Sequence, residues 1–559
     1  MLLSNLNLLA TAPGGVARLR ELILTLAVQG KLVPQDSSDE PASELLKKIR
    51  AEKDRLIAAG KIKRDKPLAE IAEEKKPFGL PKGWAFCRLG ELLLSIRSGG
   101  TPSKQNPDFW DGSIPWASVK DLSFGEPISD TQDRISQAGL DAGSELAPAG
   151  SILICTRMGL GKIGEALIDV AINQDLKAVL LGIGVNKQYF INYFKTLAVV
   201  GSGMTVAGIK QDELLRFIVP LPPTDEQSRI VTRVEELMRL CDSLETKGQL
   251  EAAQHAQLVS TLLGTLTDSD TPEQLTDNWH RIASHFDLLL DRPQAVDALE
   301  QTILQLAVRG LLVPQDPQDE PAIELLKKIR AEKDRLIAQG KIKRDKPLPP
   351  IAEDEQPFVL PQGWEWAQMG DAVNSSEAGW SPTCIGSPRR GGHWGVLKVS
   401  AVSWGAFDAN ANKELPADLA PRPEYEVQDG DFLLSRANTE ELVARSVVVG
   451  IAEPKLMLSD KIIRLDVSSL MNRDFLNLCN NANHARAHYI ANASGTSSSM
   501  KNVSREVVLR APVPLPPLAE QSRIVDRVTS LRRLCADLRA RLAASQSTQV
   551  HLAEALVAI

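Results

Sequence analysis

The chain has 559 residues, of which 43% are hydrophobic and 24% are charged. This composition is typical of a globular protein and excludes a disordered or fibrous chain, and the length predicts about three or four domains. The net charge of −7 argues against a protein that coats nucleic acid without selectivity, although it leaves room for locally basic surfaces.

The first residues and the cysteine and histidine content argue against a membrane protein, a secreted protein and a metal-binding protein. No apolar run approaches the roughly 18 residues of a membrane helix, and the opening MLLSNLNLLATAPGGVARLRELIL lacks the basic leader and hydrophobic block of a signal peptide, so we expect a cytoplasmic protein with no membrane contact. The six cysteines form no C-x-x-C pair, which predicts buried free thiols. His484 and His488 have helical spacing but no acidic or cysteine partner beside them, so we predict no metal site.

The first predicted element is a charged helix that occurs twice. The stretch ELLKKIRAEKDRLIA begins at Glu44 and again at Glu324, and residues 21–86 align with residues 301–366 without a gap. Acidic residues precede the helix and basic residues lie near its end, which suits the helix dipole. Leu45, Ile49 and Leu56 can share one face. A single copy would be read as a solvated helix, but two copies suggest two equivalent surfaces that bind two copies of one partner.

The first insert, about residues 87–218, reads as strands and turns. Within it GLGKIG, from Gly159, matches a dinucleotide-binding pattern, but the long helix and the acidic residue of that site do not follow. We predict a glycine turn that carries Lys162. The chain contains no P-loop, no G-x-S-x-G and no H-E-x-x-H, so no catalytic constellation emerges.

A second repeated block predicts two long helices. VPLPPTDEQSRIV from Val219 is matched by VPLPPLAEQSRIV from Val513, and Thr224 with Gln227 fits a capping box. Apolar residues then alternate at spacings of four and three, an a/d heptad seam that most simply packs on its copy. The seam residues are Ile230, Val234, Leu237, Cys241 and Leu244 in the first copy, and Ile524, Val528, Leu531, Cys535 and Leu538 in the second.

Antiparallel pairing of these helices would place the two inserts at opposite ends. A helix over residues 225–264 would reach ~60 Å, and one turn of duplex DNA is about 34–36 Å, so the helices are long enough to hold two modules a turn or more apart. An ordinary helical hairpin without a spacing role is the alternative.

The second insert, about residues 367–512, is unlike the first. The first block recurs at an offset of 280 residues and the second at 294, so the inserts also differ in length. Duplication followed by drift would spread the differences evenly, whereas here they are concentrated in the inserts. This favours one frame that displays two different modules. Each insert has an arginine just after an apolar strand, Arg157 and Arg436, and a later lysine, Lys177 or Lys461, so we expect a shared fold with different surfaces.

These residues resemble the DNA-specificity subunit of type I restriction-modification systems. The doubled LAVQGKLVPQD…DEPASELLKKIR and LAVRGLLVPQD…DEPAIELLKKIR blocks carry the resemblance, together with the doubled PLPP…EQSRIV helices. FWDGSIPWASVKDL and INQDLKA resemble target-recognition motifs of the first insert. GHWGVLKVSAVSWG, LLSRANTEELV and LMLSDKIIRL resemble a second recognition-domain type. The resemblance covers essentially the whole chain.

The resemblance implies an α+β fold with a pseudo-two-fold repeat. Two mixed α/β target-recognition domains would be separated by an antiparallel coiled coil of long helices. The implied divisions are residues 1–80, an N-terminal repeated helical segment; 81–219, target-recognition domain 1; 220–360, a central region with a long helix and the second repeated segment; 361–513, target-recognition domain 2; and 514–559, a C-terminal coiled-coil helix.

The resemblance also implies function and partners. Each domain would read one half of a bipartite, asymmetric sequence in double-stranded DNA, with the helices setting the spacer. The chain itself would be non-catalytic and bind no cofactor. It would assemble with two modification subunits, which methylate adenine with S-adenosylmethionine, and with two restriction subunits, which translocate and cut DNA with ATP and Mg.

Sequence reading needs a few base-edge contacts and phosphate contacts, so the candidates are basic residues of the inserts. Residues 80–220 contain 13 Lys and Arg against 14 Asp and Glu, and residues 360–512 contain 15 against 17, so modification subunits would supply much of the phosphate neutralisation. We expect Trp110, Trp116, Trp394 and Trp404 to pack the domain cores. The candidate DNA contacts are Arg97, Lys104, Lys120, Arg157, Lys162 and Lys177 in the first domain, and Arg389, Arg390, Lys398, Arg436, Lys461, Arg464 and Lys501 in the second.

Two alternatives remain at this point. A coiled-coil adaptor without DNA readout would tolerate exchange of its inserts without a change in sequence specificity. A nucleotide-dependent enzyme built around GLGKIG would bind a cofactor as an isolated chain.

Overall fold

The computed structural model describes residues 11–64, 67–197, 208–269, 271–344, 347–403, 405–495 and 500–557, so Trp404 lies outside the described residues. Two units result, and each contains one copy of both repeated blocks. Unit 1 is Met1–Glu251 with Gln546–Ile559, and unit 2 is Ala252–Ser545.

Unit 1 begins with two helices, followed by the strands of the first insert and then a long helix. The short 3₁₀ turns are Glu73–Lys75 and Pro107–Phe109. In chain order the elements are α1 Gly15–Val28, α2 Ala42–Ala58, β1 Ala85–Arg88, α3 Leu89–Leu92, β2 Leu93–Ser98, β3 Trp110–Ala117, β4 Asp133–Ile135, α4 Gln137–Asp141, β5 Glu145–Ala147, β6 Ile152–Cys155, β7 Ile163–Glu165, β8 Val170–Ile172, β9 Leu176–Leu181, α5 Lys187–Lys195, α6 Gln211–Leu215, β10 Ile218–Leu221 and α7 Thr224–Thr267.

Unit 2 repeats this order after the short helices α8 and α9. Its 3₁₀ turns are Glu353–Glu355, Val399–Val402 and Pro423–Tyr425. The elements are α8 Pro272–Ala283, α9 Phe286–Leu289, α10 Pro293–Val308, α11 Ala322–Ala338, β11 Glu365–Gln368, α12 Met369–Ala372, β12 Val373–Ala378, β13 Gly395–Leu397, β14 Asn412–Glu414, β15 Phe432–Ser435, β16 Ala437–Asn438, β17 Ser446–Val448, β18 Leu456–Met457, β19 Ile462–Val467, α13 Arg473–Asn481, α14 Asn483–Asn492, β20 Lys501–Asn502, α15 Arg505–Leu509, β21 Pro512–Leu515 and α16 Leu518–Val557.

The four-stranded sheets of the two inserts share one topology, in line with the expectation of a shared fold, whereas the second sheets have four and three strands. We call residues 85–221 module 1 and residues 365–515 module 2. Module 1 has a four-stranded sheet in the order β2-β9-β6-β7, and module 2 has the matching order β12-β19-β15-β17. A second sheet in each module contains a parallel pair, β3 with β8 and β13 with β18. Antiparallel pairs β1–β10 and β11–β21 bring the start and end of each module together, just before the long helix.

The repeated helix α2 packs on module 1 through its apolar face. Leu45 and Ile49 are 3% and 0% exposed and lie in one core with Leu92. Lys53 is also buried, and its Nζ donates a hydrogen bond to the carbonyl of Gly90 at 3.0 Å. Leu56 is only half-buried. The helix therefore holds its own module on one face.

The charged face of α2 is exposed to solvent. Lys47 pairs with Glu44 at 2.8 Å, and Arg50 pairs with Asp54 at 3.2 Å. Exposed pairs of this kind contribute little stability, about 0–1 kcal/mol each. The Lys47–Glu44 pair recurs on α11 as Lys327–Glu324 at 2.8 Å.

A buried carboxylate at the start of α7 joins three parts of unit 1. The indole Nε1 of Trp84 donates to Glu226 at 2.9 Å, and the side chain of Gln35 donates to the same carboxylate at 3.2 Å. Glu226 is 1% exposed, and burial raises its pKa. A buried carboxylate without donors would be costly, so these two bonds fix Gln35 and Trp84 against the helix. Unit 2 repeats the arrangement with Gln315, Trp364 and Glu520.

The next residue, Gln227, disproves the predicted capping box. Its Oε1 accepts a hydrogen bond from the backbone of Asn186 at 2.7 Å, and its Nε2 donates to the carbonyl of Pro222 at 3.0 Å. The Thr224 hydroxyl donates instead to the carbonyl of Gly184. Gln227 is fully buried, and its side chain joins the start of α5 to the long helix. Gln521 makes the same contacts with Asn472 and Pro516.

Six of the ten seam residues are buried and the other four are half-buried, but each seam packs within its own unit. In unit 1, Ile230, Val234 and Cys241 share a core with Leu19 of α1 and Ala553 of α16. Leu237 and Leu244 pack against this core. The simplest expectation, one seam packed directly on the other, is wrong because α1 covers the seam.

The seam of unit 2 lies in a core with α10 and the end of α7. Ile524, Val528 and Cys535 are buried there with Leu299 and Leu263, and Leu531 and Leu538 pack at its edge. Each unit therefore contains the first part of one long helix and the last part of the other.

The thiols and aromatic residues mostly follow the sequence predictions. Five of the six cysteines are buried and all six are free, while Cys384 is half-buried. Trp110 and Trp116 pack edge to face at 5.1 Å. His484 packs edge to face against Phe358, and burial lowers its pKa to about 4. Within the described ranges, every helix is too short or too polar to cross a lipid bilayer.

We expect Trp84→Phe and Trp364→Phe each to lower the free energy of unfolding by about 1–3 kcal/mol, because each change leaves a buried carboxylate oxygen without its donor. Urea denaturation followed by circular dichroism measures the loss. Trp279→Phe is the matched control, since this tryptophan is 42% exposed. Equal unfolding midpoints for Trp84→Phe and Trp279→Phe would contradict the role given to the buried carboxylate.

Candidate functional site

One end of each four-stranded sheet gathers the loops of its module. In module 1, Ser98 at the end of β2 pairs with Lys177, and Cys155 at the end of β6 pairs with Leu176 at the start of β9. The loops that leave these strands therefore meet at one end. We call this the loop end. It comprises residues 99–106, 118–121, 156–162 and 173–175 in module 1, and residues 379–383, 398–403, 436–445 and 458–461 in module 2.

Glycines allow these loops to approach each other closely. A Cβ on Gly99 would lie 2.0 Å from the carbonyl oxygen of Asn173, and a Cβ on Gly379 would lie 2.0 Å from that of Leu458. Only glycine fits such a contact. Two residues further on, Thr101 donates a hydrogen bond to Gln174, and Ser381 donates one to Asp460. Our sequence reading missed these contacts, although the G-x-[TS]-P spacing after β2 and β12 is a signal for them.

Three predicted cations of module 1 lie beside one another at its loop end. Arg157 follows β6, is about half exposed and lies 3.7 Å from Asp175. Lys162 donates from Nζ to the carbonyl of Val119 at 2.9 Å. Lys177 donates to the hydroxyl of Ser98 at 2.6 Å, and burial lowers its pKa.

The other candidates of module 1 differ in whether their charged groups already have partners within the protein. Lys104 and Lys120 are exposed in turns of the loop end. Arg97 lies at the end of β2, and its guanidinium is bound by Glu145 at 3.2 Å and by the carbonyl of Leu146 at 2.9 Å. Lys104 and Lys120 are thus better placed to meet a ligand than Arg97.

Module 2 brings two exposed cations together. The backbone N–H of Arg436 donates to the carbonyl of Lys461 at 2.7 Å, and both side chains are exposed. Lys501 lies on the adjoining strand β20, with Nζ 3.8 Å from Glu440. Lys398, half-buried, precedes the 3₁₀ turn of the same end.

The remaining candidates of module 2 lie away from its loop end. Arg389 is held by Glu453 at 2.7 Å, and its side chain is 13% exposed. Arg464, also 13% exposed, donates to Asp431 at 3.1 Å and pairs with Glu377. Arg390 is exposed at the other end of β13, where its backbone N–H donates to Glu414. Two of these three guanidinium groups already hold the protein together.

The hydrogen-bond register of the strands shows which residues of the two modules correspond, and it differs from the correspondence predicted from the sequence. The backbone N–H of Thr156 donates to the carbonyl of Asp175, just as that of Arg436 donates to the carbonyl of Lys461. The counterpart of Arg436 is therefore Thr156, not Arg157 as the sequence comparison suggested. Aligning GSILICT on Gly150 with GDFLLSR on Gly430 gives the correct register. Because Asp175 corresponds to Lys461, module 1 carries Thr156 and Asp175 at the two positions where module 2 carries two cations.

The glycine-rich stretch of module 1 forms a turn, as predicted. Residues 156–162 connect β6 to β7, so a strand and not a helix follows GLGKIG. This geometry is incompatible with a dinucleotide site, which needs the N-terminus of a helix at the phosphates. Among the described residues, no group of three or more histidine, cysteine or acidic side chains is arranged to hold a metal ion.

Comparison with known proteins gives matches over part and over nearly all of the chain. A family model described as "Type I restriction modification DNA specificity domain" matches residues 81–254. The "Type I restriction enzyme EcoEI specificity subunit" of Escherichia coli is 39% identical, over 97% of this chain and 93% of that protein. The EcoAI specificity subunit of the same organism is 36% identical, again over 97% of this chain and 93% of that protein.

We expect Gly379→Ala to destabilise the loop end of module 2 by about 1–3 kcal/mol, because the added methyl group overlaps the Leu458 carbonyl. Hydrogen exchange of residues 458–461 should become faster. Gly386→Ala, in the same segment but with open space around its Cβ, is the control. Identical exchange in the two variants would show that the close approach is not needed.

Proposed function

This chain belongs to the family of type I restriction-modification DNA specificity subunits, and we propose that its two loop ends are the surfaces that read DNA. Each module would read one half of a bipartite, asymmetric sequence. The chain would confer sequence specificity on a complex whose other subunits carry out the chemistry.

One observation carries the proposal: equivalent ends of two identically connected sheets display different side chains. The strand orders match, yet Thr156 and Asp175 in module 1 stand where Arg436 and Lys461 stand in module 2. A purely structural adaptor has no need to vary one end of a fold while keeping its connections. Two readers of different base sequences do.

The side chains at the loop ends suit DNA. Arginine and lysine donate to guanine O6 and N7 in the major groove and to phosphates, and these contacts combine sequence choice with register. In module 2, Arg436, Lys461 and Lys501 can approach a duplex together. In module 1, Lys104, Lys120 and Arg157 are exposed candidates of the loop end. Arg389 and Arg464 would support loops rather than touch DNA.

The partners and cofactors proposed for the complex are those that the resemblance to type I specificity subunits implies, and the low charge of the modules supports a role for a second subunit in binding phosphates. With net charges of −1 and −2 in residues 80–220 and 360–512, the modules offer few groups to neutralise phosphates. We assign that role to two modification subunits, which would use S-adenosylmethionine. Two restriction subunits would use ATP and Mg. Tight binding of the cognate site by the isolated chain at physiological salt would contradict this division.

The long helices would set the spacer between the two half-sites and dock the modification subunits. Support comes from the way each module begins and ends beside the start of a long helix, held by Glu226 with Gln227 or by Glu520 with Gln521. A module fixed to its helix at several points keeps its orientation when DNA binds.

Methylome sequencing of a host that carries the complete system tests the proposed function. We expect a bipartite methyladenine motif that disappears when this chain is deleted and returns when it is supplied again. An unchanged methylome after deletion would contradict DNA recognition by this chain.

Single substitutions should separate the two halves of the motif. We expect Arg157→Ala to weaken methylation through one half-site and Arg436→Ala through the other. Each loses a contact of about 1–3 kcal/mol, which corresponds to roughly 5- to 150-fold in rate. Methylation kinetics on duplexes altered in one half at a time measure this. Lys413→Ala, an exposed lysine in the middle of β14, is the control. Unchanged kinetics in both arginine variants would rule out the loop ends as the reading surfaces.

A further inference from the structure

Module 2 contains a buried arginine, Arg486, on α14. It is 7% exposed and forms an ion pair with none of the described carboxylates. Its guanidinium donates to three backbone carbonyls, those of Val443, of Glu440 at 3.3 Å and of Glu441 at 3.2 Å. Burial lowers its pKa to about 10, so it is charged at neutral pH. A buried charge is costly, and these carbonyls are its compensation.

The same loop is held by further buried polar groups. The hydroxyl of Ser435 donates to the carbonyl of Leu442 at 2.7 Å. Asn480 donates to the carbonyl of Ala444 at 2.8 Å and accepts from the hydroxyl of Tyr489 at 2.6 Å. Ala444 has φ +60°, a left-handed conformation that is uncommon for a residue with a side chain. The loop over residues 437–444, which we call the clamped loop, is therefore fixed in one shape.

Within the described residues of module 1, the matching helix lacks the asparagine of this network. Asn186 and Asn472 contact the long helix in the same way, so α5 and α13 correspond residue for residue. Phe194 of α5 then stands where Asn480 stands in α13, and both side chains are buried. The connection from the third strand to its edge partner has seven residues in module 1, 156–162, and ten in module 2, 436–445. The polar network accompanies the longer loop.

The clamped loop lies at the loop end of module 2. It follows Arg436 directly, and Asn438 on it donates to the hydroxyl of Ser403 at 2.9 Å. Its turn exposes two carboxylates, Glu440 and Glu441, beside Lys501. Carboxylates only accept hydrogen bonds, and the amino group of cytosine is the donor that they match in the major groove.

We propose that the clamped loop determines base choice in the half-site of module 2, with Glu440 or Glu441 accepting a hydrogen bond from a cytosine amino group and Arg486 acting as the positioning residue. This proposal rests on the proposed function. Buried polar groups give conformational specificity at a cost in stability, which fits a loop that must present its carboxylates in one arrangement.

The test compares methylomes of hosts that carry the complete system with Arg486→Met or Arg486→Lys in this chain. In Arg486→Met, we expect methylation at sites with one wrong base in the second half to rise about tenfold relative to cognate sites. Selectivity in the first half should stay unchanged and serves as the internal control. Arg486→Lys, which keeps the charge and a donor, should restore part of the selectivity. Arg473→Met is the matched control, because this exposed arginine binds the Gly430 carbonyl away from the loop.

Uniformly lower methylation at all sites with unchanged selectivity in Arg486→Met would overturn the proposal, since a merely structural residue would act in that way. The double variant Glu440→Ala, Glu441→Ala, on the exposed turn, removes both proposed acceptors without disturbing the core. Retained selectivity for the second half there would also overturn it. Arg436→Ala in parallel separates the two proposals: if it too has no effect, the location of the reading surface is wrong, whereas an effect of Arg436→Ala alone rejects only the clamped loop.

Discussion

A buried carboxylate at the start of each long helix is the interaction on which the rest of the structure depends. Glu226 and Glu520 lose their solvation, which raises their pKa, and each is compensated by one tryptophan and one glutamine. Those donors come from the segment just before the repeated helix and from the residue just before the first strand of the module. The helix bundle and the module are thereby joined at one point, and the following glutamine joins them a second time.

This attachment of each module to its long helix explains how the repeated blocks can hold two modules with different DNA-reading surfaces. All the groups that make it lie in the repeated blocks or at the base of the module, remote from the loop end. Strand order and the entry and exit pair are also shared. The loops beyond the far ends of the strands can therefore change length and charge without changing the attachment, and this freedom is what a protein with two different half-sites needs.

The sequence predicted the parts of this structure that depend on periodicity and repetition. Seam residues such as Ile230 and Ile524 are buried because heptad spacing places them on one face. It did not predict which partner covers that face, because α1 and α10 offer apolar stripes that periodicity alone cannot assign to a neighbour. Gln227 was read as a cap from local spacing, but its partner in α5 is distant in sequence.

The DNA-contacting cations were harder to predict, because the sequence does not show whether an arginine or lysine is paired with a carboxylate in the folded protein. Arg464 and Lys461 look alike in sequence, yet one is bound by Asp431 and Glu377 and the other is exposed. The one-residue error between Arg157 and Arg436 has a similar cause: both arginines follow an apolar strand, and only the hydrogen-bond register separates them. The buried network around Arg486 has no local signature, since its members come from the strand, the loop and two helices.

The central claim is that each module reads one half of the target independently on a common frame. Its most direct test replaces residues 89–217 with the corresponding module of a family member that has a different target, and then sequences the methylome of the host. The account predicts that one half of the methylated motif changes to that of the donor, while the other half and the spacer length are retained. An unchanged motif, or a change in both halves, would contradict it.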